Sequence, residues 1–204
     1  MLYLANPSTP KVRDAMAAGL LGQMVTPDQG NRVVPGARWA LDNGCFSERW
    51  TPQRWLAALD KHRDTPGCLW AVVPDVVADA AATNSMWCRW LPAVHRNGYD
   101  AAYVLQDGCR GIPLGARAVF VGGSTEWKLG AVARALVADA RDRRLWVHMG
   151  RVNSLRRLRY AQAIGCDSVD GTFLAFGPDN NLPELLGWLR DVDQQGALWE
   201  VAAC

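Results

Sequence analysis

The stretch Trp146 to Thr172, WVHMGRVNSLRRLRYAQAIGCDSVDGT, decides the fold. An apolar strand ends at Met149-Gly150, and a basic helix runs from Ser154 to Ala163. Ile164-Gly165-Cys166 then turns the chain into a second short strand, Ser168-Val169, which closes on Asp170. Two apolar strands joined by a helix form a parallel βαβ unit with a right-handed crossover. A carboxylate stranded at the C-terminal end of such a strand has little to do in a core. In a parallel α/β protein that position opens onto the ligand crevice, so Asp170 is the leading nucleophile candidate.

Outward from this unit the same alternation recurs. Strands are predicted at Leu2 to Ala5, Gln23 to Thr26 (a stunted one), Arg38 to Asp42, Leu69 to Val73, Ala101 to Leu105, Ala118 to Val121 and Leu145 to His148. Helices are predicted from Pro10 to Leu20, from Thr51-Pro52 through Leu59, and over Asp79 to Arg96, Thr125 to Ala140 and Leu182 to Val192; the tail carries no clear signal. Thr9 and Thr51, each just before a proline, have the chemistry of N-caps. The Pro- and Gly-bearing stretch Pro27 to Gly36 is a loop suited to a lid. Seven or eight strands in this order predict a compact (β/α)8 TIM barrel, one domain over residues 1–204, with an open parallel α/β sheet as the alternative.

Composition narrows the function. The net charge of +2 creates no global field for nucleic acid. Arg141, Arg143, Arg144, Arg151, Arg156, Arg157 and Arg159 nevertheless crowd one stretch, either as a solvated helix face or as phosphate contacts. The 6 cysteines include no C-x-x-C pair and no histidine at ligand spacing. That pattern argues against a zinc site and a disulfide framework, and fits reduced thiols in a cytoplasmic protein that uses no metal and no cofactor. The N-terminus lacks a basic, apolar leader, and no run approaches the ~20 apolar residues of a membrane span.

Polar or glycine residues recur at the strand ends: Asp42, Asp75, Gln106, Gly122-Gly123, Met149-Gly150 and Asp170. Taken singly, an aspartate there is an Asx cap and a glycine pair a tight turn. In a barrel all six rims meet at one mouth. Two carboxylates with separate duties can split a glycosidic displacement, one attacking the anomeric carbon and the other moving protons. Asp170 is suited to the first duty and Asp42, before the flexible Asn43-Gly44, to the second. Asp75 is an acceptor-only group that fits a guanine-like edge, and Gln106 both donates and accepts. Phe46 and Met149 have side chains that suit the faces of a flat ring, although core packing explains them equally well. Two other classes remain open. One is a non-catalytic DNA- or partner-binding barrel; the other is a small-molecule enzyme using Gly122-Gly123-Ser124 as a phosphate cup.

These residues also carry a family resemblance. LDNGCF (Leu41 to Phe46) resembles the DSGG(F/Y)Q motif of the tRNA-guanine transglycosylases, and FVGGS (Phe120 to Ser124) resembles their GGLAVGE turn. HMGRVNSLRRLRYAQAIGCDSVDGT (His148 to Thr172) is similar to their MGVG-x-P-x-D-L and GxDMFDC segments, while Pro74-Asp75 and LQDG (Leu105 to Gly108) stand where that family has its purine-reading aspartate and QGG. The resemblance implies a TIM barrel that exchanges guanine in a polynucleotide for a free 7-deazaguanine base such as preQ0 or preQ1. It makes Asp170 the nucleophile at C1′ and Asp42 the general acid/base. Asp75, Gln106 and Gly123 would read the base edge, and Phe46 and Met149 would stack on it. The family's C-x-C-x-x-C zinc cluster has no counterpart, and GTFLAFGPDNN (Gly171 to Asn181) replaces its arginine-bearing P-T-R segment. Those departures resemble the small phage and bacterial transglycosylases that modify DNA, which makes DNA the expected partner, tRNA the alternative, and the bacterial or host cytoplasm the expected location. Arg151, Arg156, Arg157 and Arg159 would then hold phosphates.

Overall fold

In the computed structural model, which describes the backbone of residues 1–202 and side chains through residue 194, eight parallel strands close into a barrel. They are β1 (Leu2–Ala5), β2 (Gly22–Val25), β3 (Trp39–Leu41), β4 (Cys68–Val72), β5 (Ala101–Leu105), β6 (Ala118–Val121), β7 (Trp146–Met149) and β8 (Ser168–Asp170). β8 returns to β1 with Leu4 opposite Asp170, so the barrel rather than the open sheet is the fold. The helices are α1 (Pro10–Ala17), α2 (Pro52–His62), α3 (Ala80–Arg96), α4 (Thr125–Lys128), α5 (Ala131–Asp142), α6 (Leu155–Ala163) and α7 (Pro178–Ala202). No described helix is long and apolar enough to cross a membrane.

Successive strand residues face opposite sides. One set, including Tyr3, Trp39, Leu41, Leu105, Val147, Met149 and Val169, packs against the helices. The other fills the barrel: Leu2, Leu4, Met24, Ala40, Trp70, Val72, Ala102, Val104 and Ala118, with Phe120 and Trp146 against them. The bulk of Trp70 is matched by alanines at 40, 102 and 118, which is how a small barrel fills its interior without a void.

Three helical expectations are corrected. The first helix stops at Ala17 instead of Leu20, because Gly19 takes φ +74° and its amide turns back to the Met16 carbonyl. The single helix expected over Thr125 to Ala140 is two, α4 and α5, interrupted at Leu129-Gly130, where Gly130 is extended. A glycine costs about 1 kcal/mol inside a helix, which favours the break there. The last helix starts at Pro178 and runs through the tail to Ala202. Its early Pro183 and the pair Asn180-Asn181 mask its start in the sequence.

The Pro27 to Gly36 loop is pinned from below by Gln23, which accepts from the Val34 amide (2.8 Å) and donates to the Arg32 carbonyl (3.1 Å). None of its residues lines the cavity at the barrel mouth, so the lid expectation has no support in this arrangement.

Candidate active site

At the C-terminal ends of the strands lies a cavity of about 540 Å³. It is lined by Asp42, Asp75, Gln106, Gly122, Gly123, Gly150, Arg151, Arg157 and Asp170, over an apolar floor of Val72, Val104 and Phe120. Apart from Arg157, on the first turn of α6, each polar residue sits at its strand's last residue or within three positions beyond it, where the fold directs side chains into the mouth. The structure therefore brings together both predicted carboxylates, Asp75, Gln106 and both rim glycine positions. Phe46 is at the edge of the cavity and 78% exposed, free to cover a ligand.

Asp42 accepts from the Asn43 amide at 2.9 Å. Burial first, then the charges of Asp170 and Asp75, raise its pKa from 3.8 to about 7. Asp170 is held differently. Its Oδ1 accepts from the Arg151 amide at 2.8 Å, and its side chain keeps 23% exposure. One carboxyl group is thus near-neutral in pKa and the other is presented to the cavity on a backbone donor, the separation expected of a proton carrier and a nucleophile.

Asp75 is clamped on both oxygens. Asn43 Nδ2 donates to Oδ1 at 2.7 Å and Gln106 Nε2 to Oδ2 at 2.6 Å. Burial raises its pKa, and these two donors oppose the rise. Gln106 Oε1 in turn accepts from the amides of Ala78 (3.0 Å) and Gly123 (2.9 Å). Ala78 and Arg151 are non-glycine residues at φ +61° and +62°, and both aim their amides at a site side chain, Gln106 and Asp170 respectively. Backbone strain held at such positions is a feature of functional sites.

Several sequence-based assignments are corrected here. Met149 is 1% exposed and packs toward the helices, so it cannot stack on a ligand; Phe120 occupies the cavity floor instead. Gly123 lines the cavity, yet its amide is given to Gln106, so it has no N–H donor left to offer a ligand, and its carbonyl, which accepts from Arg151, is the one backbone group it can still present. The phosphate-cup reading fails for the same reason. The Gly122, Gly123 and Ser124 amides already serve Leu105 O, Gln106 Oε1 and Asp107 Oδ2. Of the arginines, Arg151 and Arg157 line the cavity, whereas Arg156 and Arg159 lie exposed on α6 away from it. Arg141 pairs with Asp167 (2.7 Å), and Arg143 donates to the Ile112 carbonyl (3.0 Å). Both precede β7, at the opposite end of the barrel from the cavity.

Sequence reasoning missed Asn43 as the clamp on Asp75, Arg151 as the residue that holds Asp170, and the inward residues Val104, Phe120 and His148. A signal was available: Val104, Phe120 and His148 each stand two residues before a rim position (Gln106, Gly122 and Gly150), and the strand period of two turns them inward.

Lys128 supports the rim from behind. It is 1% exposed, its Nζ donates to Gly150 O at 2.6 Å, and burial, followed by Arg151 and Arg157, lowers its pKa to about 8. Gly171 is required by close approach, since a Cβ there would stand 2.5 Å from Val152 O and 2.8 Å from Tyr3 Oη. Gly171→Ala is expected to destabilise the fold by about 1–3 kcal/mol, read as a Tm lower by roughly 2–4 °C per kcal/mol. An unchanged melting curve would show that this turn relaxes freely.

Among the described residues no group of three or more His, Cys, Asp or Glu is placed to hold a metal ion. No protein-family profile and no curated protein matches the chain. Among solved structures it is similar to the PaMucR phosphodiesterase in complex with c-di-GMP (18% identity, 69% of this chain and 67% of that one, TM-score 0.41). It is also similar to a protein from Silicibacter pomeroyi described as a glycerophosphoryl diester phosphodiesterase (15% identity, 91% of this chain and 56% of that one, TM-score 0.43). A third likeness is to a native KDPGal structure (13% identity, 97% of this chain and 95% of that one, TM-score 0.42). At such identities and TM-scores none of them assigns an activity to this chain.

Proposed function

We propose that this barrel is a base-exchanging transglycosylase that replaces guanine in DNA with a free 7-deazaguanine base. The observation that carries the reading is the pairing, in one cavity, of Asp170 on a backbone donor with Asp42 raised to about 7. A single displacement by water needs no proton carrier that works equally well in both directions. An exchange does, because one base must leave with a proton and the next must surrender one.

The target nucleotide would be extruded from the duplex, since C1′ is inaccessible in the stack. An oxygen of Asp170 bonds to C1′ as the C1′–N9 bond breaks, and the departing guanine takes the proton of Asp42. The incoming base then gives its N9 proton to Asp42, N9 bonds to C1′, and the Asp170–C1′ bond breaks to restore the carboxylate. Asp75 keeps lone pairs free beyond its two clamps and can accept from the N1 and 2-amino groups of guanine. Val104 and Phe120 supply the flat apolar floor, Phe46 an exposed ring at the entrance, and Arg151 and Arg157 cations beside it for the flanking phosphates. DNA is preferred over tRNA because Gly171 to Asn181 contains no arginine after the nucleophile.

The test mixes the protein with double-stranded DNA or tRNA carrying labelled guanine, plus free preQ0 or preQ1, and follows label release. Release from DNA, weakening as salt rises, is the expected result. Release from tRNA alone would overturn the choice of DNA. No release from either polynucleotide, with both bases tried, would sink the transglycosylase reading.

A further inference from the structure

His148 stands inside the barrel, wholly buried, one layer below Asp170; it pairs in register with Ser168 on the neighbouring strand. The rings of Phe120 and Trp70 enclose it at centroid distances of 4.5 and 4.9 Å. Its Nδ1 is 2.9 Å from Ser168 Oγ, and that oxygen accepts from Trp146 Nε1 at 2.8 Å. Among the described residues its Nε2 has no hydrogen-bond partner, and Asp170 Oδ2 lies 3.5 Å from it. None of the steps proposed above uses this residue.

The direction of the chain follows from donor chemistry. An indole nitrogen only donates, so Ser168 Oγ accepts from Trp146. The serine is itself wholly buried, and the only acceptor in reach of its own hydroxyl proton among the described contacts is His148 Nδ1. With Nδ1 accepting, the imidazole carries its proton on Nε2, 3.5 Å from the oxygen of Asp170 that Arg151 does not hold.

We infer that Trp146, Ser168 and His148 form a one-way hydrogen-bond relay that makes His148 a positioning residue for Asp170 and favours its departure as a carboxylate. In the free enzyme the contact is loose. When the Asp170–C1′ bond breaks, both electrons of that bond return to the carboxylate, and a small closing movement lets Nε2–H meet the charge as it forms. A buried donor without another partner is costly to leave unmade, which biases the movement toward closure. An exchange enzyme needs this bias. A carboxylate that attacked well and left poorly would strand the polynucleotide on the protein.

The kinetic part of this inference rests on the transglycosylase reading, so two measurements are paired. The first is nitrogen NMR of the imidazoles in the full-length wild-type protein, which has 3 histidines. A pyrrole-like Nε2 and a pyridine-like Nδ1 on His148 are expected; the opposite tautomer overturns the relay whatever the protein does. The second compares His148→Leu with His148→Gln in the exchange assay, with melting curves to confirm folding. In His148→Leu, release of the covalent adduct is expected to slow by roughly ten- to hundredfold, so that trapped adduct accumulates. His148→Gln, whose amide keeps a donor toward Asp170 and an acceptor toward Ser168, is expected to restore release. Adduct release at the wild-type rate in His148→Leu overturns the inference, as does a glutamine variant no better than leucine. If His148→Leu does not fold, the tautomer and the glutamine variant decide. Absence of exchange in the wild type itself would refute the transglycosylase reading and leave the tautomer result to judge the relay alone.

Discussion

Asp170→Asn is expected to give a folded protein that forms no covalent adduct with guanine-containing DNA and exchanges base at least ~10⁴-fold more slowly. The amide has the shape of the carboxylate but no nucleophilic charge. Its oxygen can still accept from the Arg151 amide, now 2.8 Å from Oδ1. The amide nitrogen, however, would then face His148 Nε2, donor against donor, across the 3.5 Å that separates the groups in the wild type. A loss of about 1 kcal/mol in stability is therefore expected beside the loss of chemistry. Mass spectrometry of the protein after incubation with DNA, together with label release, checks both halves. An adduct that survives in Asp170→Asn would place the nucleophile elsewhere.

Asp42→Asn is expected to abolish exchange and at the same time to stabilise the fold above neutral pH. The wild-type carboxyl titrates near 7 when folded, against 3.8 ordinarily, because burial and two neighbouring carboxylates disfavour its charge. Between those values the folded state binds more protons at this group than the unfolded state does. Stability from Asp42 is therefore fully present below about 4 and falls as pH rises to about 7, beyond which the folded protein holds an unfavourable buried charge. Asparagine removes the charge and keeps an acceptor for the Asn43 amide. The gain at pH 8 is on the order of 2–4 kcal/mol, shrinking toward pH 5, and unfolding curves at the two pH values measure it. Wild-type exchange should peak near pH 7, since guanine departure needs the acid form and entry of the next base needs the carboxylate. A stability gain independent of pH would contradict the cause given for the shift, and exchange retained by Asp42→Asn would remove its catalytic role.

Much of the barrel was legible because its signals are local. β5 and β6 fall on the residues predicted for them, and β8 begins where the turn at Gly165 releases the chain. Thr9 and Thr51 do cap their helices, accepting from the Val12 and Arg54 amides. The helix break at Gly130 and the reach of α7 were less visible. In each case a weak local preference was decided by packing: Lys128 turns inward to Gly150 O, and α7 packs Leu182, Leu185, Leu189 and Val192 into the outer core.

The candidate site divides in the same way. Asp42, Asp75, Gln106, Gly122, Gly150 and Asp170 could be placed at one mouth from strand order alone, since parallel strands of a barrel end on one rim. Met149 was misassigned and Phe120 overlooked because a strand of a parallel barrel is buried on both faces, so hydrophobicity does not say which face a residue takes. Which donors were already spent was equally hidden. The amide of Gly123 is held by the Gln106 side chain, 17 positions away in sequence, a pairing that no local signal carries. The order of strands, the turn chemistry and the rim carboxylates are properties of short stretches, and the sequence by itself determined them. The raised pKa of Asp42, the clamp on Asp75 and the line from Trp146 through His148 to Asp170 were decided only by the tertiary structure, because burial and hydrogen-bond saturation depend on neighbours that only the closing of the barrel supplies.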